Sequence, residues 1–366
     1  MKVAIVHDWL NQKVGGAENV VIKLAQMHPD ADIFTLVYNR KKFGSYFTGR
    51  TVHTSRLQRF PGFIKSRPKL LLPFIKKSVE KMNFDGYDLV ITSSSAWVKN
   101  INVPKSAKHI CYCYSPARML WDSWPGYIHD MKLGPIGRFY VTKLVSKLRL
   151  WDYYKSRDGI KFIAISRYVQ SRITKYYHQP STLIYPPVNF SNMLNPEPSV
   201  EKQNYYLVVS VLSKYKNIDL AIRAFKKSGK KLKIVGDGPD LARLQKIAAG
   251  AGNIEFLGRV SDHDKTELLQ RAKGFVFCSV EDFGITMVES IAAGTAVIAL
   301  KGGGAEEIID QSTGVFFDES SPEALDKAIS ILESKFKGNY RLKNSYVFDK
   351  FSEANFEKKF REAVGE

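Results

Sequence analysis

The feature that most constrains the fold is a regular alternation of short apolar runs with longer stretches of helical periodicity. In the second half, the runs predicted to be strands are Tyr205–Val211, Leu232–Val235, Ile254–Leu257, Gly274–Cys278, Ala296–Leu300 and Val315–Phe317. The predicted helices between them are Ile218–Lys227, Asp240–Ala249, Asp264–Arg271, Thr286–Ala293 and Pro322–Leu332. This alternation is typical of a parallel sheet covered by helices. We predict a Rossmann-like domain over residues 204–345, with a C-terminal helix in 346–366 that could cross back to the first domain.

The first half shows the same alternation. Its predicted strands are Val3–Val6, Ile33–Val37, Leu89–Ile91, Ile110–Cys113, Phe162–Ile165 and Leu183–Tyr185. Gly15 and Gly16 form a turn before the first helix, and Ser166 is placed to cap a helix over Arg167–Tyr177. Residues 188–203 are rich in proline and lack periodicity, which is typical of a linker. The chain of 366 residues is therefore predicted to be α/β, with Rossmann-like domains over 1–187 and 204–345 that face each other across a cleft.

The cysteines and the N-terminal sequence bear on the compartment. Cys111, Cys113 and Cys278 are too few for a disulfide framework, and the apolar run Val3–Val6 is too short for a signal sequence. Cys111 and Cys113 alternate along a predicted strand without further ligands nearby, so core packing is favoured over a metal site. We expect a cytoplasmic protein that holds no metal.

The positive charge of the chain is concentrated in one segment. The net charge is +19, and between Arg40 and Lys81 twelve Lys and Arg residues accompany a single acid, Glu80. Aromatic and aliphatic residues are interleaved with these bases, a mixture typical of a segment that lies on an anionic bilayer. The residues expected to contact the membrane are Arg56, Arg59, Lys65, Arg67, Lys69, Lys76 and Lys77. No apolar run there approaches the roughly 20 residues needed to span a bilayer.

Besides a membrane surface, two other roles for this charge stay open. A basic segment could bind nucleic acid, but no helix-turn-helix, zinc-finger or RNP-type signature accompanies it, so no nucleic-acid partner is expected. The segment could also be a solvated face without a partner. Peripheral association with the cytoplasmic face of a membrane is the favoured interpretation.

A pair of carboxylates marks a candidate site in the second half. Glu281 lies in the loop after the predicted strand Gly274–Cys278, and Glu289 lies just inside the next predicted helix. The first N–H groups of that helix and its dipole form an anion site suited to a diphosphate. Gly284 lets the backbone approach a ligand closely. The two carboxylates could bracket a phosphate and accept from sugar hydroxyls, although the dipole alone also favours Glu near a helix start.

Glycine loops follow two other strands of this half. Gly236-Asp237-Gly238-Pro239 follows Leu232–Val235, and Gly302-Gly303-Gly304 comes soon after Ala296–Leu300. In a parallel sheet such loops lie at the edge where ligands bind. Neither is a dinucleotide fingerprint, because the third glycine would fall on Leu241, and no P-loop sequence occurs. Dehydrogenases and P-loop enzymes are therefore disfavoured.

Taken in order, these motifs resemble the retaining glycosyltransferases of GT-B fold known as family 4, and the resemblance covers nearly the whole chain. It rests on Glu281 and Glu289 with Phe-Gly-Ile-Thr between them, on Val-Gly-Asp-Gly-Pro at 235–239, on Phe-Leu-Gly-Arg-Val at 256–260, on Ala-Ala-Gly-Thr-Ala-Val-Ile-Ala at 292–299 and on the three-glycine loop. Val-His-Asp-Trp-Leu at 6–10, Gly-Gly-Ala-Glu at 15–18 and the segment 115–122 are similar to a mannosyltransferase-like branch that builds bacterial surface polysaccharides.

The resemblance implies roles for individual residues. Glu281 would hold the donor sugar, Glu289 the nucleotide ribose, and Arg259 and Val260 the base. Lys216 would neutralise the phosphates. The other residues implied in donor binding are Gly15, Gly16, Lys214, Gly236, Phe283, Gly284, Ile285 and Thr286. The two glycines of the first domain would meet the phosphates from that side.

Two positions depart from the family pattern. Five residues before its phosphate-binding Lys the family commonly has an Arg, where this chain has Val211, so Lys214 could substitute or the phosphate clamp is weaker. Before Thr-Pro or Ser-Pro the family often has a His, where this chain has Tyr114. Tyr114 and Arg118 are candidate contacts to the acceptor or the donor sugar. His109 is expected to be a strand residue.

The implied reaction is transfer of a hexose with retention, favoured as mannose from GDP-mannose, to a lipid-linked saccharide such as a polyprenyl-diphosphate sugar. Glu281 and Lys216 are the implied catalytic residues, and Asp8 is a candidate to orient or deprotonate the acceptor. No cofactor is expected, because the nucleotide sugar is a substrate. The alternatives are a UDP-sugar-dependent transferase of the same fold, a nucleotide-sugar epimerase and a basic nucleic-acid-binding protein.

Overall fold

The computed structural model describes residues 1–11, 15–65, 68–122, 134–191, 193, 201–338, 340, 342 and 344–366. The chain forms two compact units, one of Met1–Pro186 with Glu357–Glu366 and the other of Pro187–Phe356. Each unit contains one parallel sheet with helices packed on it. The expected α/β class with two Rossmann-like sheets is confirmed.

The first unit is built on a sheet of seven parallel strands. They are β1 (Val3–Leu10), β2 (Asp32–Tyr38), β3 (Val52–Thr54), β4 (Leu89–Ser94), β5 (Lys108–Cys113), β6 (Lys161–Ala164) and β7 (Ser181–Leu183). Their order in the sheet is β3-β2-β1-β4-β5-β6-β7. The apolar run of β1 suits its central position, where Ile5 pairs with Ile33 on one side and Ile91 on the other. Only β3 lacks a predicted counterpart, because three residues carry too little apolar pattern.

The helices of this unit connect and cover the strands. They are α1 (Gly16–Met27), α2 (Arg40–Phe43), α3 (Gly62–Lys65), α4 (Pro68–Glu80), α5 (Arg118–Trp121), α6 (Pro135–Lys155) and α7 (Arg167–Tyr177). Short 3-10 turns occupy Gly44–Phe47, Arg56–Arg59 and Val98–Asn100. The predicted cap of α7 is confirmed, because Ser166 Oγ accepts from the N–H of Val169 at 3.0 Å.

The inner faces of α4 and α6 pack into a single core. This core contains Leu71, Leu72, Ile75 and Val79 of α4 together with Val145, Leu148 and Trp151 of α6. A hydrogen bond from Trp151 Nε1 to Glu80 Oε1, 2.9 Å long, joins the two helices directly. They are therefore neighbours on one face of the sheet, and their outer faces are turned to the same side.

The second unit has a sheet of six parallel strands, and all six were predicted. They are β8 (Tyr206–Val209), β9 (Leu232–Val235), β10 (Ile254–Gly258), β11 (Gly274–Phe277), β12 (Val297–Leu300) and β13 (Gly314–Phe317), in the order β10-β9-β8-β11-β12-β13. The helices are α8 (Ile218–Ser228), α9 (Leu241–Ala248), α10 (Asp262–Arg271), α11 (Ile285–Ala292), α12 (Ala305–Ile308), α13 (Pro322–Lys335), α14 (Ser345–Phe351) and α15 (Glu353–Val364), with a 3-10 turn at Lys214–Lys216.

The division between the units falls within α15. The last turns of this helix pack on the sheet of the first unit. Phe360 is fully buried, with its ring 6.5 Å from that of Tyr112, and Lys108 Nζ donates to the backbone oxygen of Val364 at 3.5 Å. Residues 357–366 are therefore part of the first unit's structure.

Candidate active site

The sheet of the second unit reverses its winding at β8, which has β9 on one side and β11 on the other. Loops that leave such neighbouring strands in opposite directions open a crevice at the carboxyl ends of the strands. A small pocket is present there, lined among others by Ser210, Lys216, Cys278 and Ser279. The candidate site therefore has the position that the strand order dictates.

Glycines bring the loops after β8 and β9 into contact. Gly236 has a φ of +131°, and a Cβ there would lie 1.8 Å from the backbone oxygen of Ser210. A Cβ on Gly238 would lie 2.2 Å from the backbone oxygen of Leu212. Both contacts are far shorter than carbon and oxygen allow, so only glycine fits at either position. The backbone of Gly236 is thereby held against Ser210, which lines the pocket.

The three-glycine loop makes a similar approach to the segment after β11. A Cβ on Gly303 would lie 2.1 Å from the backbone oxygen of Glu281, and one on Gly304 would lie 2.2 Å from that of Phe283. The N–H of Gly304 also donates to the backbone oxygen of Glu281 at 2.9 Å. This loop therefore fixes the backbone on which the first of the two predicted carboxylates is mounted.

Gly284 is the N-cap of α11 and has a φ of +105°. A Cβ there would lie 2.3 Å from Met287 Cε. The first N–H groups of a helix have no partners within it, so those of Ile285 and Thr286 and the helix dipole favour an anion at this end. The ring of Phe283 is buried 5.5 Å from that of Phe351, so its side chain packs within the second unit and its contact with a donor stays a prediction.

Lys216 and Glu281 form an ion pair across the crevice, from the turn after β8 to the loop after β11. Ser279 Oγ donates to the same carboxylate oxygen, Oε1, at 2.9 Å. Asn217, which follows Lys216 with a φ of +51°, donates from Nδ2 to the backbone oxygen of Cys278 at 3.4 Å. The ammonium group and the carboxylate are thus held together at the start of α11, where the resemblance implies a diphosphate and a sugar.

Glu289 lies at the inner side of α11 with only 14% of its side chain exposed. Its Oε1 accepts from Lys265 Nζ of α10 at 3.0 Å, whereas its Oε2 is buried without a partner among the described residues. Burial raises the pKa of Glu289 above its ordinary value, against the opposing charge of Lys265. A buried carboxylate oxygen that lacks a donor is costly, so the geometry suits a ligand that brings a hydroxyl group.

Further residues of the second unit that are implied in donor binding lie in the loops after β8 and β10. Arg259 follows β10 and pairs with Asp237 at 3.1 Å, with half of its side chain exposed. The N–H of Gly236 donates to the backbone oxygen of Gly258 at 2.6 Å, which joins the loops after β9 and β10. Lys214 is exposed, and so is Val211. The structure therefore leaves Lys214 as an accessible base beside the position where the family commonly has Arg.

Asp8, expected as a candidate base, has a different environment. It is 1% exposed at the end of β1. Oδ2 accepts from the N–H groups of Ser95 (2.6 Å) and Ala96 (3.0 Å), and Oδ1 from those of Trp97 (2.8 Å) and Val98 (2.9 Å). Four backbone amides thus occupy both oxygens of this carboxylate. The structure makes Asp8 the anchor of the loop after β4, and its role toward an acceptor stays a prediction.

Gly15 and Gly16 are held at the start of α1 by polar contacts within the first unit. The N–H of Gly15 donates to Glu18 Oε2 at 3.0 Å. The hydroxyl of Tyr114 donates to the backbone oxygen of Ala17 at 2.9 Å. Burial raises the pKa of Tyr114 well above its ordinary value, so this hydroxyl stays a donor. Tyr114 thus supports the glycine turn.

His109 and Arg118 occupy different settings. His109 lies in β5, with Nε2 at 3.2 Å from Thr92 Oγ1, and burial lowers its pKa to about 3. The expectation that it is a strand residue is confirmed. Arg118 begins α5 and is half-buried. Its contact with a sugar or an acceptor stays a prediction.

The expected membrane contacts lie on the first unit. Those with exposed side chains are Arg56, Arg59, Lys76 and Lys77. Lys65 is half-buried and donates to the backbone oxygen of Gln58 at 3.2 Å. Arg67 and the side chain of Lys69 lie outside the described residues.

Arg50 belongs to the same basic segment but faces inward. Its guanidinium donates to the backbone oxygens of Ala25 at 2.6 Å and His28 at 2.8 Å, at the C-terminal end of α1. Cations at this end of a helix are favoured by the dipole. Arg50 therefore stabilises α1, and it is not available to a surface partner.

Within the described ranges, no group of three or more His, Cys, Asp or Glu side chains is arranged to hold a metal ion. No helix in the same ranges is both long enough and apolar enough to cross a bilayer. Cys111, Cys113 and Cys278 are all buried, and burial raises the pKa of Cys278 to about 12. A thiol with so high a pKa stays protonated and unreactive near neutral pH.

The fold and the crevice place the chain among proteins of GT-B fold. The Anabaena protein HepE, whose crystal structure is in complex with UDP, superimposes with a TM-score of 0.66 at 15% identity over 100% of both chains. WaaG, a glycosyltransferase involved in lipopolysaccharide biosynthesis, superimposes with a TM-score of 0.64 at 16% identity, again over 100% of both chains. At such identities the likeness shows the fold alone.

Residues 190–345, most of which lie in the second unit, match the family described as "Glycosyl transferases group 1". An uncharacterized glycosyltransferase of Methanocaldococcus jannaschii is 24% identical over 98% of this chain and 96% of its own length. A second one from that organism is 27% identical over 52% of this chain. A GDP-mannose-dependent alpha-(1-6)-phosphatidylinositol monomannoside mannosyltransferase of Mycolicibacterium smegmatis is 30% identical over 48% of this chain. The chain spans about half the length of these last two relatives, 54% and 53%.

Three residues of the site were not predicted from the sequence. Lys265 reaches Glu289 from another helix, and no local pattern marks that contact. Ser279 lies two residues before Glu281, so its position beside a predicted carboxylate was a usable signal. Asn217 has a positive φ, which Asn adopts more readily than most residues, directly after the phosphate-binding candidate Lys216.

Proposed function

We propose that this protein is a retaining glycosyltransferase of family 4 that transfers a hexose from a nucleotide-sugar donor. The observation that carries the proposal is the Lys216–Glu281 ion pair beside the N-terminus of α11, with glycine loops packed against its backbone. An ammonium group, helix N–H groups and a carboxylate within one crevice match a diphosphate linked to a polyhydroxyl group.

The donor is held by groups of different chemistry along the crevice. The N–H groups of Ile285 and Thr286, together with Lys216, bind the diphosphate. Glu281 accepts from hydroxyls of the sugar. Glu289 accepts from a hydroxyl of the ribose through Oε2, which has no partner among the residues that the structure describes.

The loop after β10 completes the donor site. Arg259 and Val260 contact the base. The absence of a side chain at Gly236 lets the loop after β9 pack closely on the loop after β8 beside it. Lys214 adds a positive charge beside the diphosphate in place of the Arg that the family has at Val211. The exposed position of Lys214 supports this assignment.

The reaction needs no nucleophile from the protein. The bond between the anomeric carbon and the diphosphate oxygen breaks, and the acceptor oxygen bonds to the same face of that carbon. The proton of the acceptor hydroxyl passes to the leaving diphosphate. Lys216 and the N-terminus of α11 stabilise the charge that develops on the diphosphate. Glu281 positions the donor sugar, which supplies the rest of the rate acceleration. No metal and no cofactor takes part in this proposal.

GDP-mannose is the favoured donor. The support is the motif resemblance to the mannosyltransferase-like branch and the relative named as GDP-mannose-dependent, which is 30% identical over 48% of the chain. A UDP-sugar is the second candidate, because the fold neighbour HepE is in complex with UDP. A panel of GDP, UDP and ADP in thermal-shift measurements separates them, since a ligand at 100 times its Kd stabilises by about 2.7 kcal/mol.

The proposed acceptor is a lipid-linked saccharide, and the protein works at the cytoplasmic face of a membrane. The support is the basic surface of the first unit, where Arg56, Arg59, Lys76 and Lys77 are exposed. Each Lys or Arg near an anionic leaflet contributes about 1 kcal/mol, which is enough in sum to hold a protein at the surface.

Sugar transfer to a membrane lipid extract tests the proposal with two substitutions, Glu281→Ala and Glu289→Ala. Each is expected to lower transfer about 100-fold or more, because each removes a charged contact to the donor. Glu319→Ala is the matched control, since Glu319 is exposed in the same unit. Wild-type turnover in both site variants would contradict the assignment of these two residues to the donor site. Conversion of the donor without an acceptor would instead favour an epimerase.

A further inference from the structure

The outward face of α6 is apolar and aromatic at both ends. Its exposed large side chains are Ile136 (75% exposed), Phe139 (64%), Tyr140 (66%), Leu150 (57%) and Tyr154 (66%). Positions 136, 140, 143, 147, 150 and 154 recur at helical spacing and form one stripe. Side chains of this size are usually buried, so their exposure at both ends of the stripe marks a surface that binds a partner.

The neighbouring helices extend this stripe into a patch. Phe63 of α3 and Leu70 and Phe74 of α4 are also exposed. Among the described residues fourteen large hydrophobic side chains are exposed, and eight of them lie on α3, α4 and α6. Because the inner faces of α4 and α6 share one core, their outer faces lie next to each other. We call this patch the α4–α6 surface.

The exposed charge of α6 is entirely positive. Its charged residues are Arg138, Lys143, Lys147, Arg149, Asp152 and Lys155. The single acid, Asp152, is fully buried in an ion pair with Lys99. An apolar stripe interrupted by bases and free of exposed acids is the composition of a helix that lies in the interface of an anionic bilayer.

A pocket of about 470 Å³ opens between α4 and α6 within this surface. Lys76, Lys147 and Lys155 line it, over an apolar wall that includes Leu150 and Trp151. Lys155 pairs with Asp158 at 2.8 Å and Lys76 lies 3.9 Å from Glu80, so both are partly neutralised. Lys147 has no carboxylate within ion-pair distance in the described part of the chain. The pocket thus combines an apolar wall with an excess of positive charge.

We propose that the α4–α6 surface docks on an anionic phospholipid bilayer, with the first turns of α6 inserted and a lipid phosphate seated between Lys76 and Lys147. Ile136, Phe139 and Tyr140 enter the boundary between headgroups and acyl chains. This inference deepens the membrane association in the proposed function and rests on it for its biological meaning. It adds α6, which lies outside the basic segment 40–81, as the insertion element and as the source of Lys147 opposite Lys76.

The composition favours a bilayer over the two other occupants of such a surface. Protein interfaces are depleted in Lys, whereas Lys143 and Lys147 lie in the centre of the stripe. Nucleic acids are bound through phosphates and stacking, which gives no use for an exposed Ile136 and Leu150. A bilayer with anionic headgroups uses both the apolar and the basic side chains.

Vesicle flotation tests the proposal with the full-length chain and requires no sugar or nucleotide. Vesicles of phosphatidylcholine and phosphatidylglycerol in equal parts are compared with vesicles of phosphatidylcholine alone. The triple variant Ile136→Ser, Phe139→Ser, Tyr140→Ser and the single variant Lys147→Glu are each expected to bind the anionic vesicles at least tenfold more weakly than wild type. The controls are Ile331→Ser and Lys327→Glu, which alter exposed residues on α13 of the second unit.

The outcomes distinguish a bilayer from a second copy of the chain as the occupant of the surface. They also distinguish a failure of membrane docking from a failure of the donor site. Lys147→Glu is expected to lose the preference for anionic vesicles, and the triple variant to lose binding that persists in high salt. Equal binding of the triple variant and wild type overturns the insertion of α6. A shift of the triple variant from dimer to monomer in light scattering, without a change in flotation, shows a second copy as the occupant. GDP or UDP binding by the same variants is measured in parallel, so a failure of the donor site is seen separately.

Discussion

Lys265 donates a hydrogen bond to Oε1 of Glu289 at 3.0 Å, while Oε2 of the same carboxylate is buried without a partner in the described part of the chain. One oxygen of this carboxylate therefore has a hydrogen-bond donor among the described residues, and the other oxygen does not. An unpartnered buried oxygen lowers the stability of the fold, but it can accept a hydrogen bond from a ligand, and such groups are common at binding sites.

Replacing Glu289 by Gln is expected to change how the thermal stability depends on pH. Burial raises the pKa of this carboxyl, so the stability that its protonated form contributes is fully present below the ordinary value of 4.5 and is lost as pH rises through the raised pKa. Gln stays neutral at all pH values, so this loss does not occur in the variant. The melting temperature of the variant relative to wild type should therefore be higher at about pH 8 than at about pH 4. Equal gaps at both pH values contradict the prediction.

The same substitution is expected to weaken binding of the nucleoside diphosphate. A hydrogen bond to a charged group contributes about 1.5–3 kcal/mol, so the Kd should rise about tenfold to 100-fold by calorimetric titration. Glu289→Gln thus separates stability from binding. A variant that is both more stable and a full-strength binder would show that Oε2 does not contact the ligand.

Lys216→Ala is expected to lower kcat about 100-fold to 1000-fold, because the ammonium group stabilises the charge of the leaving diphosphate. Lys216→Arg should restore part of the rate, since the positive charge returns with a different shape. Lys246→Ala, at an exposed position on α9, serves as the control. Steady-state kinetics that show a change in KM alone would assign Lys216 to ground-state binding instead.

Gly236→Ala is expected to destabilise the second unit and to weaken nucleotide binding. A Cβ there meets the backbone oxygen of Ser210 at 1.8 Å, so the loops after β8 and β9 must separate. Gly250→Ala is the matched control, because Gly250 also has a positive φ, +77°, but nothing lies within 4 Å of its Cβ position. Both variants carry the backbone strain, and only Gly236→Ala carries the clash. Equal losses of melting temperature would contradict the packing role.

Asp8→Asn is expected to act on stability and not on the pH dependence of the rate. The carboxylate accepts from four backbone N–H groups, and loss of its charge should cost about 1.5–3 kcal/mol of unfolding free energy. Asp85→Asn, at an exposed position, should cost almost nothing. If Asp8→Asn instead removed the acidic limb of the pH–rate profile at unchanged stability, Asp8 would be the base after all.

Local features of the sequence were sufficient for the strands of both sheets apart from β3, and for the loops that form the candidate site. The strand pattern of the second half is strong because each central strand of a parallel sheet is buried on both faces. Gly236, Gly284 and Gly303 were recognisable because a positive φ or a close backbone approach leaves no other residue possible. Their order after successive strands placed Glu281 at the carboxyl edge of the sheet, where it follows β11 in the structure.

Contacts between segments that are distant in the sequence could not be predicted from it. Asp8 was recognisable as a carboxylate near the end of a strand, but its contacts with the amides of residues 95–98 were not. The partner of Glu289 on another helix and the outward face of α6 depend on how helices pack, which a periodic pattern alone does not determine. The basic segment was likewise mixed, since Arg50 turns inward and Arg56 outward.

The anomeric configuration of the product tests the proposed retaining transfer most directly. Wild-type protein is incubated with GDP-mannose, or with UDP-glucose if the thermal-shift panel favours UDP, and with a membrane lipid extract, and the transferred sugar is examined by proton NMR. We predict an α-linked product from the α-linked donor, with transfer lost in Glu281→Ala. An inverted linkage, or the absence of transfer from every nucleotide sugar while the protein remains folded, would contradict a retaining glycosyltransferase.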